Sequence, residues 1–311
     1  MAMKTLILHH DDCLRHDPGP GHPERTERVT AVLNAIEGLA GAEFLPAPMA
    51  TSVQVERVHD PDYLAWLTQL DPGAEPATDR IALDPDTWLS PGSLDAALRG
   101  SGAACFAVDQ IFKGRARNAF RVTRPPGHHA ESATAMGFCL FNHAAIAARH
   151  AQAVLGAERV AILDFDVHHG NGTQAIFAES AECLYVSSHQ SPLYPGTGQQ
   201  EERGCGNILN LPLPPGAGGP EFREVWAEHG LPALRRFAPD LVIVSAGFDA
   251  HQRDPLGQLQ LQDADYAWIT REICTIANTA CADRLVSILE GGYDLEALAS
   301  AATAHVGALI A

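Results

Sequence analysis

Basic residues are scarce in this chain. Lys and Arg number 21 against 38 Asp and Glu, a formal net charge of -17 over 311 residues. That balance argues against a nucleic-acid surface, which needs a basic patch. It suits cationic substrates by long-range attraction, and it equally suits plain solubility. Long apolar runs are also missing: none approaches the ~20 residues that cross a bilayer, so no membrane span is expected. Met1 to His10 lacks the charged, apolar, small-residue order of a secretory signal and enters a strand directly. No Cys-x-x-Cys pair occurs. Cys13, Cys105, Cys139, Cys183, Cys205, Cys274 and Cys281 are scattered and odd in number, and read as reduced, mostly structural thiols of a cytoplasmic protein. No linker or low-complexity block divides the chain. With 46% hydrophobic residues it can fill a substantial core, and one domain over residues 1–311 is expected.

What is present is an alternation of short apolar runs and amphipathic stretches. The runs Thr5–Leu8, Ala119–Val122, Val160–Leu163, Leu184–Val186, Leu241–Val244 and Leu285–Leu289 read as strands. Glu24–Leu39, Ser93–Phe112, Asn142–Leu155, Glu221–Phe237, Asp263–Cys281 and Leu295–Leu309 read as helices. Several runs lack polar alternation, as strands covered on both faces do. The pattern predicts an α/β fold with a central, mainly parallel β-sheet flanked by helices. Asp11 to Glu24 and Ser188 to Pro220 read as loop-rich rims.

Ligands of such sheets sit beyond the carboxyl ends of the strands, and there the sequence concentrates its chemistry. Asp166 and His168 follow the Val160–Leu163 run. Residues two apart on an extended chain face the same side, so both can aim at one ion with Val167 turned away. Asp249, after another strand, is a plausible third ligand. Two carboxylates and one imidazole leave a position open, as catalytic zinc sites do. His128 and His129 follow a Pro-Pro-Gly turn, and a neutral imidazole beside a metal-bound water is a good general base. Each needs a partner on its other ring nitrogen, and Asp164 and Asn171 are the candidates. The alternatives for the pair are a second metal site or a surface His pair. Tyr293, after Gly291 and Gly292, could donate to an oxyanion, or simply follow a turn. His169 faces away from His168. His9, His10, His59, His143, His150 and His189 carry no paired signal, and His22 is the one placed to lie near a site mouth.

These residues resemble the zinc-dependent histone deacetylases and acetylpolyamine amidohydrolases, which share the arginase–deacetylase fold. The matching motifs run from His22-Pro23-Glu24-Arg25 through Arg124-Pro125-Pro126-Gly127-His128-His129-Ala130, Gly137-Phe138-Cys139, Asp164 to Gly172, Pro195-Gly196-Thr197-Gly198 and Ala246-Gly247-Phe248-Asp249 to Glu290-Gly291-Gly292-Tyr293. Asn171 and the Gly172-Thr173-Gln174 after it look like class II and bacterial members.

The resemblance implies one zinc on Asp166, His168 and Asp249. It makes His129 the base and then the acid, with Asn171 behind it, and His128 the assistant, held by Asp164. Tyr293 would bind the carbonyl oxygen. Phe138 and Tyr194 would wall an acyl-lysine tunnel, Gly137 would leave room for the substrate chain, and Arg28 would lie beside an inner acetate channel. It implies two potassium ions, one near Asp164, Asp166, His168, Ser187 and Ser188, the other near Phe177, Ser180, Cys183 and Asn207. Carboxylates for a second transition metal, as in arginases, are missing: His169 follows His168, and Ala250 and His251 follow Asp249. The implied substrate is an acylated lysine peptide or an acylated small amine such as an acetylpolyamine, with a homo-oligomer possible. A non-catalytic acyl-lysine binding module would show damage at His129, Tyr293 or a zinc ligand, and none is visible.

Overall fold

The computed structural model describes residues 3–71 and 80–311. Its strands are β1 (Thr5–His9), β2 (Ala42–Pro46), β3 (Ile81–Ala82), β4 (Trp88–Leu89), β5 (Asn118–Arg121), β6 (Val160–Asp164), β7 (Cys183–Gln190), β8 (Ile208–Leu213), β9 (Leu241–Ala246) and β10 (Leu285–Leu289). The helices are α1 (Glu27–Ile36), α2 (Ser52–Val55), α3 (Pro61–Leu70), α4 (Ser93–Phe112), α5 (His143–Leu155), α6 (Asn171–Phe177), α7 (Gly219–Val225), α8 (Leu231–Phe237), α9 (Asp263–Cys281) and α10 (Leu295–Ile310). Eight strands form one sheet in the order β2-β1-β5-β10-β9-β6-β7-β8. Every pairing in it is parallel, and β3 and β4 form a separate antiparallel pair.

Strand residues alternate between two apolar layers, as a period of two requires. Ile7, Phe120, Ala161 and Leu163 face α1, α9 and α10. Leu6, Leu8, Ala119, Val160 and Ile162 face α4 and α5. On that second side Ala144, Ala145, Ala147 and Ala148 of α5 meet Ala103, Ala104 and Ala107 of α4, and such small side chains let two helices and the sheet approach closely. The central, mainly parallel sheet predicted from sequence is present. Among the described residues no helix is long and apolar enough to cross a membrane.

The differences from the predicted elements have physical causes. β2 and β8 lie at the sheet edges, where partial exposure and polar residues dilute the apolar signal. The region Ser188 to Pro220, read as loop, therefore holds the end of β7 and all of β8. α3 carries a capping Asp60 and a Pro at its first turn, signals that were readable. The predicted Glu221–Phe237 helix is broken by one π turn at Trp226–Gly230, before Pro232. Glu24, placed at a helix start from sequence, instead lies before α1 as a buried ion-pair hub.

Buried histidines should make the fold acid-sensitive. His305 lies between Thr270 Oγ1 (2.7 Å) and Ser287 Oγ (2.8 Å). Burial pushes its pKa down to about 3, and that of His59 down to about 4. An unfolded histidine titrates near 6.5, so below that pH the unfolded chain binds the proton that the folded chain refuses. This stability is present above about pH 6.5 and is lost as pH falls toward the folded values. At pH 4.5 His305 alone costs about 3 kcal/mol. Urea midpoints should fall steeply from pH 6.5 to 4.5, with a shallower fall in His305→Gln. Equal slopes in both proteins would contradict the assignment.

Candidate active site

Four adjacent strands, β5, β10, β9 and β6, deliver the site from their carboxyl ends. Asp166 and His168 follow β6, and Asp249 follows β9. His168 Nδ1 lies 3.1 Å from Asp166 Oδ1 and 3.1 Å from Asp249 Oδ2. One donor atom of each residue lies within 4.8 Å of the other two, and all three residues are buried. The backbone braces the carboxylates: Asp166 Oδ2 accepts from Gly291 N (2.8 Å), and Asp249 Oδ1 accepts from Val167 N (2.8 Å). The Val167 side chain turns into the core, as its place between two ligands predicts.

Glycine is required around this cluster. A Cβ on Gly247 would run into the Asp166 carboxylate, and one on Gly291 would run into both carboxylates. The electrostatics call for a cation. Burial and the charge of Asp166 push Asp249 up to about 7. His168 is lifted to about 10 because hydrogen bonds to Asp166 and Asp249 outweigh its burial. A dication placed among these donors would reverse both shifts. The donor set therefore fits a zinc-type ion with an open position. Among the described residues it is the one such grouping found.

The rings of His128 and His129 lie 4.0 Å apart between centroids, tilted by 45°, and differ in environment. Asp164 Oδ2 accepts from His128 Nδ1 (3.0 Å) and from Tyr185 OH (3.0 Å). Burial alone would depress His128, but Asp166 and Asp164 lift it to about 10. His129 is pushed well below the usual range by burial and by the cationic His128 and His168 beside it. Asn171 Oδ1 lies 2.8 Å from His129 Nδ1. Asn171 Nδ2 meets the acceptors Glu131 Oε1 (3.0 Å) and Met136 Sδ (3.3 Å), so its oxygen must face the imidazole. His129 thus carries its proton on Nδ1 and presents a free Nε2. The two partners foreseen for the pair, Asp164 and Asn171, both occupy those places.

A cavity of about 260 Å³ opens above these groups, lined by Asp86, His129, Gly137, Phe138, His168, Leu193, Tyr194, Leu256 and Tyr293. Phe138 adopts φ 67°, a left-handed conformation costly for a bulky residue. Its N–H donates to Thr87 Oγ1 (2.9 Å), and its ring meets Tyr293 edge-on at 5.9 Å. The Tyr194 ring stands edge-on to His129 at 5.2 Å. Gly137 lines the cavity, and a Cβ there would strike the His129 ring. His22 and Arg28 back the wall and do not line it. His22 packs on Phe138 at 4.7 Å. Arg28 lies 4.8 Å from the Tyr293 ring centroid and donates to Gly292 O (2.6 Å) and Glu290 O (2.5 Å). His169 turns away to Thr197 Oγ1 (2.8 Å) and Gln174 Oε1 (2.9 Å).

Sequence reasoning missed several supports. Asp86, Leu193 and Leu256 line the cavity from loops remote in sequence. Asp254 Oδ2 accepts from Tyr293 N (2.6 Å), and its Oδ1 accepts from Leu256 N (3.0 Å). Glu290 Oε2 accepts from Gly127 N (2.6 Å) and so anchors the turn before the His pair. A buried carboxylate just after a strand was the available signal for Glu290. Asp254 had none. Asp164 and Ser187 are register partners across β6 and β7, and Ser188 follows. The Asn207 amide nitrogen lies against the carbonyls of Phe177, Ser180 and Cys183, the residues expected with it beside a second potassium ion.

Residues 20–309 match the histone deacetylase domain. The chain is 39% identical over 330 residues to histone deacetylase 14, chloroplastic, of Arabidopsis thaliana, spanning 100% of this chain and 78% of that protein. It is 39% identical over 303 residues to a probable deacetylase of Archaeoglobus fulgidus, spanning 94% of this chain and 82% of that one. The crystal structure of the HDA15 HD domain superposes with a TM-score of 0.91 at 34% identity, covering 99% of this chain and 89% of its own. The likeness extends over the whole sheet and its helices, the arginase–deacetylase arrangement.

Proposed function

The chain belongs to the histone deacetylase domain family, and from that premise we propose that it hydrolyses the acyl amide of an acyl-lysine or of a similar slender acylated amine. One observation carries this reading. A neutral imidazole, a phenol and a three-donor cation cluster meet in one narrow cavity walled by Phe138 and Tyr194. Asp166, His168 and Asp249 would hold one zinc ion, which when bound supplies Lewis acidity toward the amide carbonyl and acidifies water.

The chain's own groups do the rest. His129 Nε2 takes the proton of the attacking water and returns it to the departing nitrogen, giving a free amine and a carboxylate. Its Nδ1–H stays on Asn171 throughout. Tyr293 OH donates to the carbonyl oxygen as negative charge develops there. His128, kept protonated by Asp164 and Asp166, adds positive charge behind His129 and the ion cluster. A potassium ion beside Asp164, Asp166, His168, Ser187 and Ser188 belongs to the same reading. All five residues are buried, and the ion would stiffen the segment that carries the zinc donors.

The test is a panel of acetyl-lysine peptides, longer acyl-lysine peptides and acetylpolyamines, run with elemental analysis. One zinc per chain is expected, with turnover lost on chelation and restored by one equivalent. Activity that survives complete metal removal would sink the proposal. The polyamine alternative is favoured if free acetylpolyamines turn over faster than peptides.

The cavity walls give a second expectation. Phe138→Ala removes one face of contact with the methylenes of a linear substrate. The loss is roughly 1 kcal/mol, or about 5-fold in KM, with kcat little changed. An unchanged KM, or equal turnover of branched amides, would dismiss the tunnel.

A further inference from the structure

The turn between α6 and β7 is closed by a side chain where a cation was expected. Asn207 Nδ2 lies 2.7 Å from Phe177 O, 3.0 Å from Ser180 O and 2.8 Å from Cys183 O. Three backbone carbonyls turned inward on one point are the arrangement that replaces the hydration shell of a large monovalent cation. Here the point is occupied by an amide nitrogen. Its orientation follows from the opposite end of the group: Asn207 Oδ1 faces the donors Cys205 N–H and Cys205 S–H, each at 3.2 Å. Reversing the amide would set an acceptor against three carbonyl oxygens and a donor against two donors.

The surroundings add a second, independent argument. The Arg149 guanidinium lies 4.7 Å from the Phe177 ring centroid, and its Nη2 is 2.7 Å from Ser180 Oγ. Arg149 Nη1 also pairs with Glu182 Oε1 (3.3 Å), so the side chains on this turn balance one another and offer no spare negative charge to draw a cation in. The Asn207 carbonyl is committed elsewhere, accepting from Tyr185 N at 2.9 Å. It is therefore unavailable as an inward-facing ligand.

We infer that the Asn207 amide takes the place of a monovalent cation at this turn, so that the chain closes its own carbonyl cage and needs no ion there. This departs from the two potassium ions that the sequence resemblance implies, and leaves at most the one beside Asp164. The substitution has a structural use. The cage pins the last carbonyl of α6 to the start of β7, and α6 begins at Asn171, the partner of His129. The registration of that helix then no longer varies with the potassium concentration. The inference stands apart from the reaction assigned to the cavity.

Crystals grown with thallium(I) in place of potassium test it through anomalous scattering. The wild-type protein should show no thallium among the carbonyls of Phe177, Ser180 and Cys183. Asn207→Gly, which opens the cage, should show it there. Replacing K⁺ by tetramethylammonium at constant ionic strength should lower the Tm of Asn207→Gly by about 3 °C more than that of the wild type. Asn207→Asp keeps the shape but exchanges the donor for an anion. It should show the same added K⁺ dependence, and it serves if the glycine variant fails to fold. A thallium peak inside the wild-type cage, with Asn207 swung out, overturns the inference. So does an identical K⁺ dependence of the wild type and the folded variants. Neither readout involves amide hydrolysis, so failure of the proposed reaction leaves this result untouched.

Discussion

His129→Ala is expected to lower kcat by about 10²–10⁴ while leaving the protein folded and its metal content unchanged. His129 is the imidazole of the cavity wall with a free ring nitrogen, because His168 is committed to the ion cluster and His128 does not line the cavity. Its partner Asn171 fixes the tautomer, and burial with the positive charge of His128 beside it keeps it neutral at working pH. A neutral base of low proton affinity is loaded only while the reaction runs, which suits a group that must hand the same proton on to the leaving amine. The substitution leaves Asn171 Oδ1 without its donor, a modest cost of about 1 kcal/mol. Loss of turnover should therefore far exceed loss of stability. Measuring kcat, zinc content and urea midpoint on one preparation separates the two, and near-normal kcat would remove His129 from the role.

The contrast between what the sequence showed and what it hid has a physical basis. Asp166, His168 and Asp249 were legible because local geometry carries them. Strand ends present alternate residues to one side, and residues of the required chemistry sat at that spacing. Asn171 and Asp164 were legible for a related reason: they flank the ligand segment, so they had to lie near the His pair. Asp254 and Glu24 were not, because the contacts that give them their roles, Asp254 to Tyr293 N and Glu24 to Arg124, span more than thirty residues, and only the folded sheet brings them together.

Gly137, Gly247 and Gly291 fall between these cases. Each was visible as a glycine in a motif. The atom that forbids a side chain there, the His129 ring or a ligand carboxylate, belongs to another segment. The sheet shows the same division. Its buried central strands announced themselves as apolar runs, whereas edge strands β2, partly exposed and carrying Glu43, and β8, interrupted by Asn210 and Pro212, did not. Asn207 marks the boundary most sharply. Its place in the turn was foreseen, but whether it would join a cation's ligands or replace the cation depends on which end of one amide faces inward.

Tyr293→Phe is expected to lower kcat by roughly 10²–10³, with KM and Tm almost unchanged. The backbone that carries the phenol is held from both sides. Asp254 takes its backbone N–H at 2.6 Å, while Arg28 holds the carbonyls of Gly292 and Glu290 at 2.6 and 2.5 Å. The ring is fixed edge-on to Phe138 and lies on the Arg28 guanidinium. Phenylalanine keeps every one of these contacts and removes a single O–H. The difference therefore reads the hydrogen bond to the developing oxyanion and little else.

Burial pushes the phenol well above its ordinary range despite the nearby Arg28 charge, so it remains a donor throughout the working pH range. The loss in Tyr293→Phe should accordingly be the same at pH 7 and pH 9. With its ring fixed in the cavity wall and its proton kept, the hydroxyl needs little reorganisation as charge develops, and such preorganised donors contribute more than they would in water. The variant should keep its zinc and bind a linear hydroxamate with near-wild-type affinity, because ion chelation and the cavity walls are intact. Full turnover in Tyr293→Phe, or a loss that vanishes above pH 9, would show that the oxyanion is held by other groups.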